Sequence, residues 1–231
     1  MSANSFAFQI DEWTYKDGGH MQESVSYLVL EAGWHTLADG TVIEAGVTST
    51  DHNWKSVSFS SAFGSTPVVL SQVSTRNGGD ACTTRQKDIT NSGFAVVVQE
   101  EEAKGTTSAT VNGPHVVENV SWVAISAGSG EAGGLKYQVA VTPDEVTHKD
   151  NGISFGQSFT AAPGFFAQMQ KFDGWNTAVV RYRSLNASAA TVFIEEEQSA
   201  DSEREPTTES LGWLVIEPGV IRAEAAEAGS F

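Results

Sequence analysis

Apolar and polar positions alternate along this chain in short runs. Val68-Val69-Leu70-Ser71-Gln72-Val73 has the two-residue period of a strand with one face in a core. Phe94–Val98, Val120–Ile125, Val192–Ile194 and Leu211–Ile216 read the same way. Turn-forming clusters separate the runs: Asn77-Gly78-Gly79-Asp80, Asn91-Ser92-Gly93 and Asp173-Gly174. Only Ala223–Ala228 has helical spacing, and it is short. Short strands at regular spacing predict an all-β protein built of antiparallel sandwiches.

The pattern is also written more than once. Val57-Ser58-Phe59 and Phe63…Pro67 return 96 positions later as Ile153-Ser154-Phe155 and Phe159…Pro163. At the same offset Gln72 matches Gln168, Arg85 matches Arg181, and His52 matches His148, which suggests a shared structural contact. The closing runs match at offset 91, where Trp122 meets Trp213. A third closing run lies near the start: Phe6–Ile10 aligns with Phe94–Val98, and Tyr27 takes the place of Trp122. The expected layout is the back half of a repeat at 5–33, a linker at 34–56, and a complete sandwich at 57–128. A second linker at 129–152, a more divergent sandwich at 153–219 and a tail at 220–231 follow. Trp122 and Trp213 are expected in the cores.

Composition narrows the function classes. The 231 residues carry 13 Lys+Arg against 29 Asp+Glu, a net charge of −16, which excludes nucleic acid and anionic membranes as partners. Cys82 is the sole cysteine, so the chain forms no internal disulfide. No apolar run reaches the ~20 residues of a membrane-spanning helix. The first residues lack a basic segment followed by an apolar one, so no signal peptide is expected within this chain.

Phe59, Phe63, Pro67-Val68-Val69-Leu70, Arg85, Ile89-Thr90-Asn91-Ser92-Gly93-Phe94 and Ser121-Trp122-Val123-Ala124-Ile125, in that order, resemble the H-type lectin domain, the family of the snail agglutinins. The resemblance spans Val57 to Gly128; the second unit matches more weakly, with Ala189-Ala190 at Gly93-Phe94. It implies tandem six-stranded antiparallel sandwiches, assembly as trimers, and non-catalytic binding of galactose-type sugars. The family's sugar-contacting positions are not kept: they hold Ala81 and Glu101-Glu102 in one unit, and Thr177 and Glu197-Gln198 in the other. Only the half-unit has an aromatic there, Trp13, followed by Thr14. The acidic repeats also resemble segments of large bacterial surface or polysaccharide-degrading proteins, so a secreted or cell-surface parent protein is implied.

A sugar site needs an aromatic face and planar polar groups. Asp173, Trp175 and Asn176 offer both in one Gly-bearing loop; Arg76 and Asp80 lie in the matching loop of the first unit, and Trp13 in the half-unit. His20 with Glu23, and His115 with Glu118, are candidate ligands for Ca2+ or another divalent metal; no cofactor is otherwise expected. The competing reading is that Glu23, Glu118 and Glu209 anchor turns by accepting backbone N–H bonds, since Glu209 persists where Pro206 replaces the histidine. No catalytic motif is present, so no enzymatic activity is expected. Two function classes follow. One is a carbohydrate-binding module for a polysaccharide or glycan; the other is a structural or adhesin-like repeat array without sugar binding. Three closing runs in one chain predict a pseudo-trimer within the chain, with a homo-oligomer as the alternative.

Overall fold

The computed structural model describes residues 5–16, 18–104 and 115–221. Ala223–Ala228 lies outside them. Their regular structure is strand, apart from one 3-10 turn at Glu102–Lys104. The first seven strands are β1 (Gly33–Thr36), β2 (Val42–Thr50), β3 (Lys55–Ser58), β4 (Val68–Val73), β5 (Cys82–Lys87), β6 (Gly93–Glu100) and β7 (Glu118–Ile125). They form a four-stranded sheet ordered β1-β2-β7-β4 and a three-stranded sheet ordered β3-β6-β5, antiparallel throughout.

The next seven are β8 (Gly128–Ala132), β9 (Leu135–Val141), β10 (Asn151–Ser154), β11 (Gly164–Met169), β12 (Ala178–Leu185), β13 (Ala189–Glu196) and β14 (Leu211–Ile216). Their sheets, β8-β9-β14-β11 and β10-β13-β12, have the same order as the first pair, strand for strand.

Alternation puts one face of each strand between the two sheets of its group. In the first group Phe59, Phe63, Val69, Phe94, Val96, Val98, Val120, Trp122 and Ala124 form the buried core. Trp122 stands edge-on to Phe94, with ring centroids 5.5 Å apart, and 6.0 Å from Phe59. A β-carbon on Gly46 of β2 would run into the Trp122 indole, so the large ring there requires glycine on the neighbouring strand. In the second group Trp213 packs 5.9 Å from Phe155, with Val192, Ile194 and Val215 around it.

Three expectations are corrected. The stretches 34–56 and 129–152 are not linkers, because each begins with a hairpin that completes the larger sheet. Asp39-Gly40 turns the first hairpin, with Asp39 accepting the Thr41 N–H at 3.0 Å. Gly133 and Gly134, at φ +58° and +78°, turn the second in the manner of a two-residue hairpin loop. Each group therefore has seven strands rather than six, and only Ser126 and Ala127 separate them. Finally, Phe6–Ile10 and Val25–Leu30 form no named strand; the backbone before Gly33 is irregular among the described residues.

A third apolar cluster joins the parts. Leu37, Val68, Val123 and Ile125 of the first group meet Ala132, Tyr137, Val139 and Leu214 of the second, and Leu28 packs against them. Leu28, Val123 and Leu214 directly follow Tyr27, Trp122 and Trp213. In β7 and β14 the aromatic turns into its own sandwich and the next residue turns out to the shared cluster.

Candidate functional site

The densest polar chemistry lies in the seam between the two groups. β4 is an edge strand, paired on one side by β7. Its free edge would leave backbone groups unpaired. Side-chain amides from the second group take them up. Gln170 accepts the Val69 N–H at 3.0 Å and donates to the Val69 carbonyl at 2.9 Å. Gln168 accepts the Ser71 N–H at 2.6 Å and donates to the Thr84 hydroxyl at 2.8 Å. Two glutamines at alternate positions stand in for a fifth strand.

Beside them Arg85 of β5 crosses the seam, fully buried. It donates to Glu209 at 2.8 Å, to the Asn176 carbonyl at 3.1 Å and to the Gly174 carbonyl at 3.2 Å. Its guanidinium lies 4.7 Å from the Phe172 ring centroid, and Phe172 stands edge-on to Trp54 at 5.2 Å. Burial pushes Glu209 up to about 7, while Arg85 and the Gly174 and Asp173 amides pull it back. Burial likewise lowers Arg85, against the pull of Glu209.

Glu209 also accepts the N–H groups of Asp173 and Gly174, at 3.2 and 3.3 Å. Glu118 plays the matching part in the first group, accepting from Asn77 at 2.8 Å and Gly78 at 2.7 Å. Burial works against the Glu118 charge, but bonds from Thr75, Gly78, Asn77 and His115 outweigh it and hold the carboxyl below its usual range. Both glutamates are thus turn anchors.

The seam has a counterpart nearer the start of the chain. The Glu102 N–H donates to Glu197 at 2.7 Å. The Thr14 N–H and hydroxyl donate to Glu101. Glu101 and Glu197 are 96 positions apart, and Thr14 stands to Glu102 as Phe6 stands to Phe94. The same kind of contact is therefore made at two places. Burial, with Glu197 and Glu196 close by, pushes Glu102 up to about 7.

Most of the sugar-site candidates are engaged by other groups of the chain. Asn176 gives its carbonyl to Arg85, and Trp175 gives its carbonyl to Gln99 at 2.8 Å, while the Trp175 residue stays 43 % exposed. Asp173 lies 3.9 Å from Lys171. Arg76 pairs with Asp11 at 3.0 Å, Asp80 with Lys104 at 2.9 Å, and Trp13 sits half-buried on a cleft wall.

Of the metal candidates, His115 is buried against Glu100 through Nδ1, with Nε2 3.4 Å from Glu118. His20 and Glu23 are exposed, and His20 bonds the Met21 carbonyl at 2.8 Å. Among the described residues no group of three His, Cys, Asp or Glu side chains is placed to hold a metal ion.

Arg85 is visible in the sequence as a shared residue, but its role across the seam is not. Gln168-x-Gln170, polar at alternate positions of an edge strand, was the readable sign of the amide caps. A cleft of about 720 Å³ opens between the segment before Gly33 and both groups; Trp13, Cys82, Arg181, Arg183 and Arg204 are among its walls.

The class defined by this geometry is an all-β protein of paired antiparallel sheets, joined across a buried polar seam. Over 217 residues the chain is 30 % identical to halomucin of Haloquadratum walsbyi. That match covers 93 % of this chain but spans only 2 % of halomucin's length. No family model matches the chain, and no solved structure does.

Proposed function

We propose that the chain is a structural segment of a larger extracellular or cell-surface protein, a tandem array of H-type-lectin-like sandwiches whose work is cohesion rather than sugar capture. The likeness to halomucin supports the location. One observation carries the function. The backbone of the 173–177 loop, where a sugar site would stand, is spent on the seam: Gly174, Trp175 and Asn176 give their carbonyls to Arg85 and Gln99. The meeting of Leu28, Val123 and Leu214 in one cluster supports a pseudo-trimer within the chain, with the segment 5–33 as its incomplete third member.

The test pairs a glycan array of neutral galactans, agar oligosaccharides and GalNAc glycans with denaturant unfolding. No glycan should bind, and both groups should unfold in one transition that Arg85→Ala weakens. Saturable glycan binding would overturn the reading.

The exposed face of Trp175 favours a second reading, a shallow sugar site on the rim of the seam. On that reading Trp175→Ala loses glycan binding while the fold is kept, at a cost of about 1–2 kcal/mol for one aromatic contact.

A further inference from the structure

The segment before Gly33 carries a row of large apolar side chains turned to solvent. Phe6, Phe8, Ile10, Val25, Tyr27 and Val29 are between 38 % and 69 % exposed. A soluble chain rarely leaves so many together without a partner. Their identity in the repeat says what is missing. They align in order with Phe94, Val96, Val98, Val120, Trp122 and Ala124, all buried in the core of the first sandwich. The other three members of that core, Phe59, Phe63 and Val69, come from its front half.

The geometry agrees with the alignment. Phe6 and Tyr27 stand edge-on with centroids 5.5 Å apart and planes at 67°. Phe94 and Trp122 stand 5.5 Å apart at 70°. In the complete sandwich Phe59 covers that pair, at 5.8 and 6.0 Å; Phe6 and Tyr27 form the same pair uncovered.

The neighbouring surfaces are set to receive the same occupant. Gln72 holds the position of Gln168 but is exposed, where Gln168 caps the β4 edge.

We propose that this face is the docking surface for the front half of a further sandwich of the same repeat. That half is a five-stranded piece supplying the equivalents of Phe59, Phe63 and Val69 to the core and a β4-type edge to Gln72. The inference rests on the repeat reading given above, but not on whether sugars bind.

The experiment places a copy of residues 33–92 directly ahead of Ser5 in the full chain, which reproduces the spacing of the complete sandwich. Hydrogen exchange, dye binding to exposed apolar surface, and solution mass are compared with and without the added segment. With it, the amides of Phe8, Ile10, Tyr27 and Val29 should exchange at least ~100-fold more slowly, as core strands do. Dye binding should fall and the protein should be monomeric. Phe6→Ser with Tyr27→Ser in the lengthened chain should remove the protection while the two original sandwiches stay folded.

Unchanged exchange with the added segment open to protease would overturn the proposal. So would an unlengthened chain that dimerises and buries the same face, which would make a second copy the occupant. Glycan binding would overturn only the functional reading, since none of these readouts depends on it.

Discussion

Arg85 and Glu209 meet at 2.8 Å across the seam, with side chains 1 % and 2 % exposed. Neither has water to fall back on. Arg85 also donates to the Gly174 and Asn176 carbonyls, so the ion pair fixes the loop that precedes β12 as well. Removing one partner of such a pair strands the other charge, whereas replacing both by apolar groups is often neutral.

Arg85→Ala is therefore expected to cost about 3–5 kcal/mol, as breaking a buried pair does. The double variant Arg85→Met with Glu209→Leu should recover the part of that loss due to the stranded charge, but not the part due to the loop backbone groups that both side chains bond. A double-mutant cycle in denaturant unfolding measures the coupling; additive single costs would show that the pair is not energetically linked.

The Trp122 site gives a packing test. Gly46→Ala forces a β-carbon into the indole and should cost about 1–3 kcal/mol, typical of overpacking. Trp122→Ala should cost about 3–5 kcal/mol through the cavity it leaves. In the double variant the Gly46→Ala penalty should nearly vanish, which equilibrium unfolding would register.

Glu102 predicts the pH profile. Its folded value of about 7 lies above the ordinary 4.5, so the folded chain holds a proton that the unfolded chain has released between those limits. The stabilisation is complete below 4.5 and is lost as pH rises through 7. Glu118 acts in the opposite direction: its stabilisation is present above the ordinary carboxyl value and fades as acid reaches its lowered value. Thermal melts should show a maximum near pH 5, and Glu102→Gln should flatten the decline between 5 and 7.

Salt should stabilise the fold. A net charge of −16 on one chain is self-repulsive, and the Debye length shrinks from ~10 Å at 0.1 M to ~3 Å at 1 M salt. Melting temperature should climb over that range of sodium chloride. A flat response would mean that the carboxylates are spaced too widely to repel.

Cys82 should be inert in the native protein. Burial and the nearby Glu118 and Glu100 charges push its thiol up to about 12. Alkylation at pH 8 should be slow when folded and fast in denaturant, read by mass spectrometry.

Period and bulk made part of this legible in the sequence. Trp122 and Trp213 announce closing strands because few other places hold an indole, and both are buried. Glu118 and Glu209 were readable as turn anchors because one kept its place when its histidine partner became Pro206. The hairpins β1–β2 and β8–β9 were hard to read because the two copies differ in sequence, and β1, β2 and β8 mix Gly, Thr and Ser with few aromatics. The signs that could have found them were Asp39-Gly40 and Gly133-Gly134. The seam was invisible for another reason. Arg85 and Glu209 are 124 positions apart, and nothing local in either marks the other as its partner.

The registers of the larger sheets bear on how such a chain would respond to tension. Gly33 lies level with Ala45, and Ile125 with Ile43, so the backbone comes in and goes out at the same end of the first sandwich. β1 and β7 are two strand spacings apart, about 10 Å. The second sandwich repeats this, with Gly128 level with Val139 and Ile216 with Tyr137. Under tension each folded sandwich therefore adds almost nothing to the reach of the polypeptide, yet stores roughly 300 Å of contour that pays out only when its sheets give way. A thread strung with such knots would be short at rest and would lengthen in sudden steps.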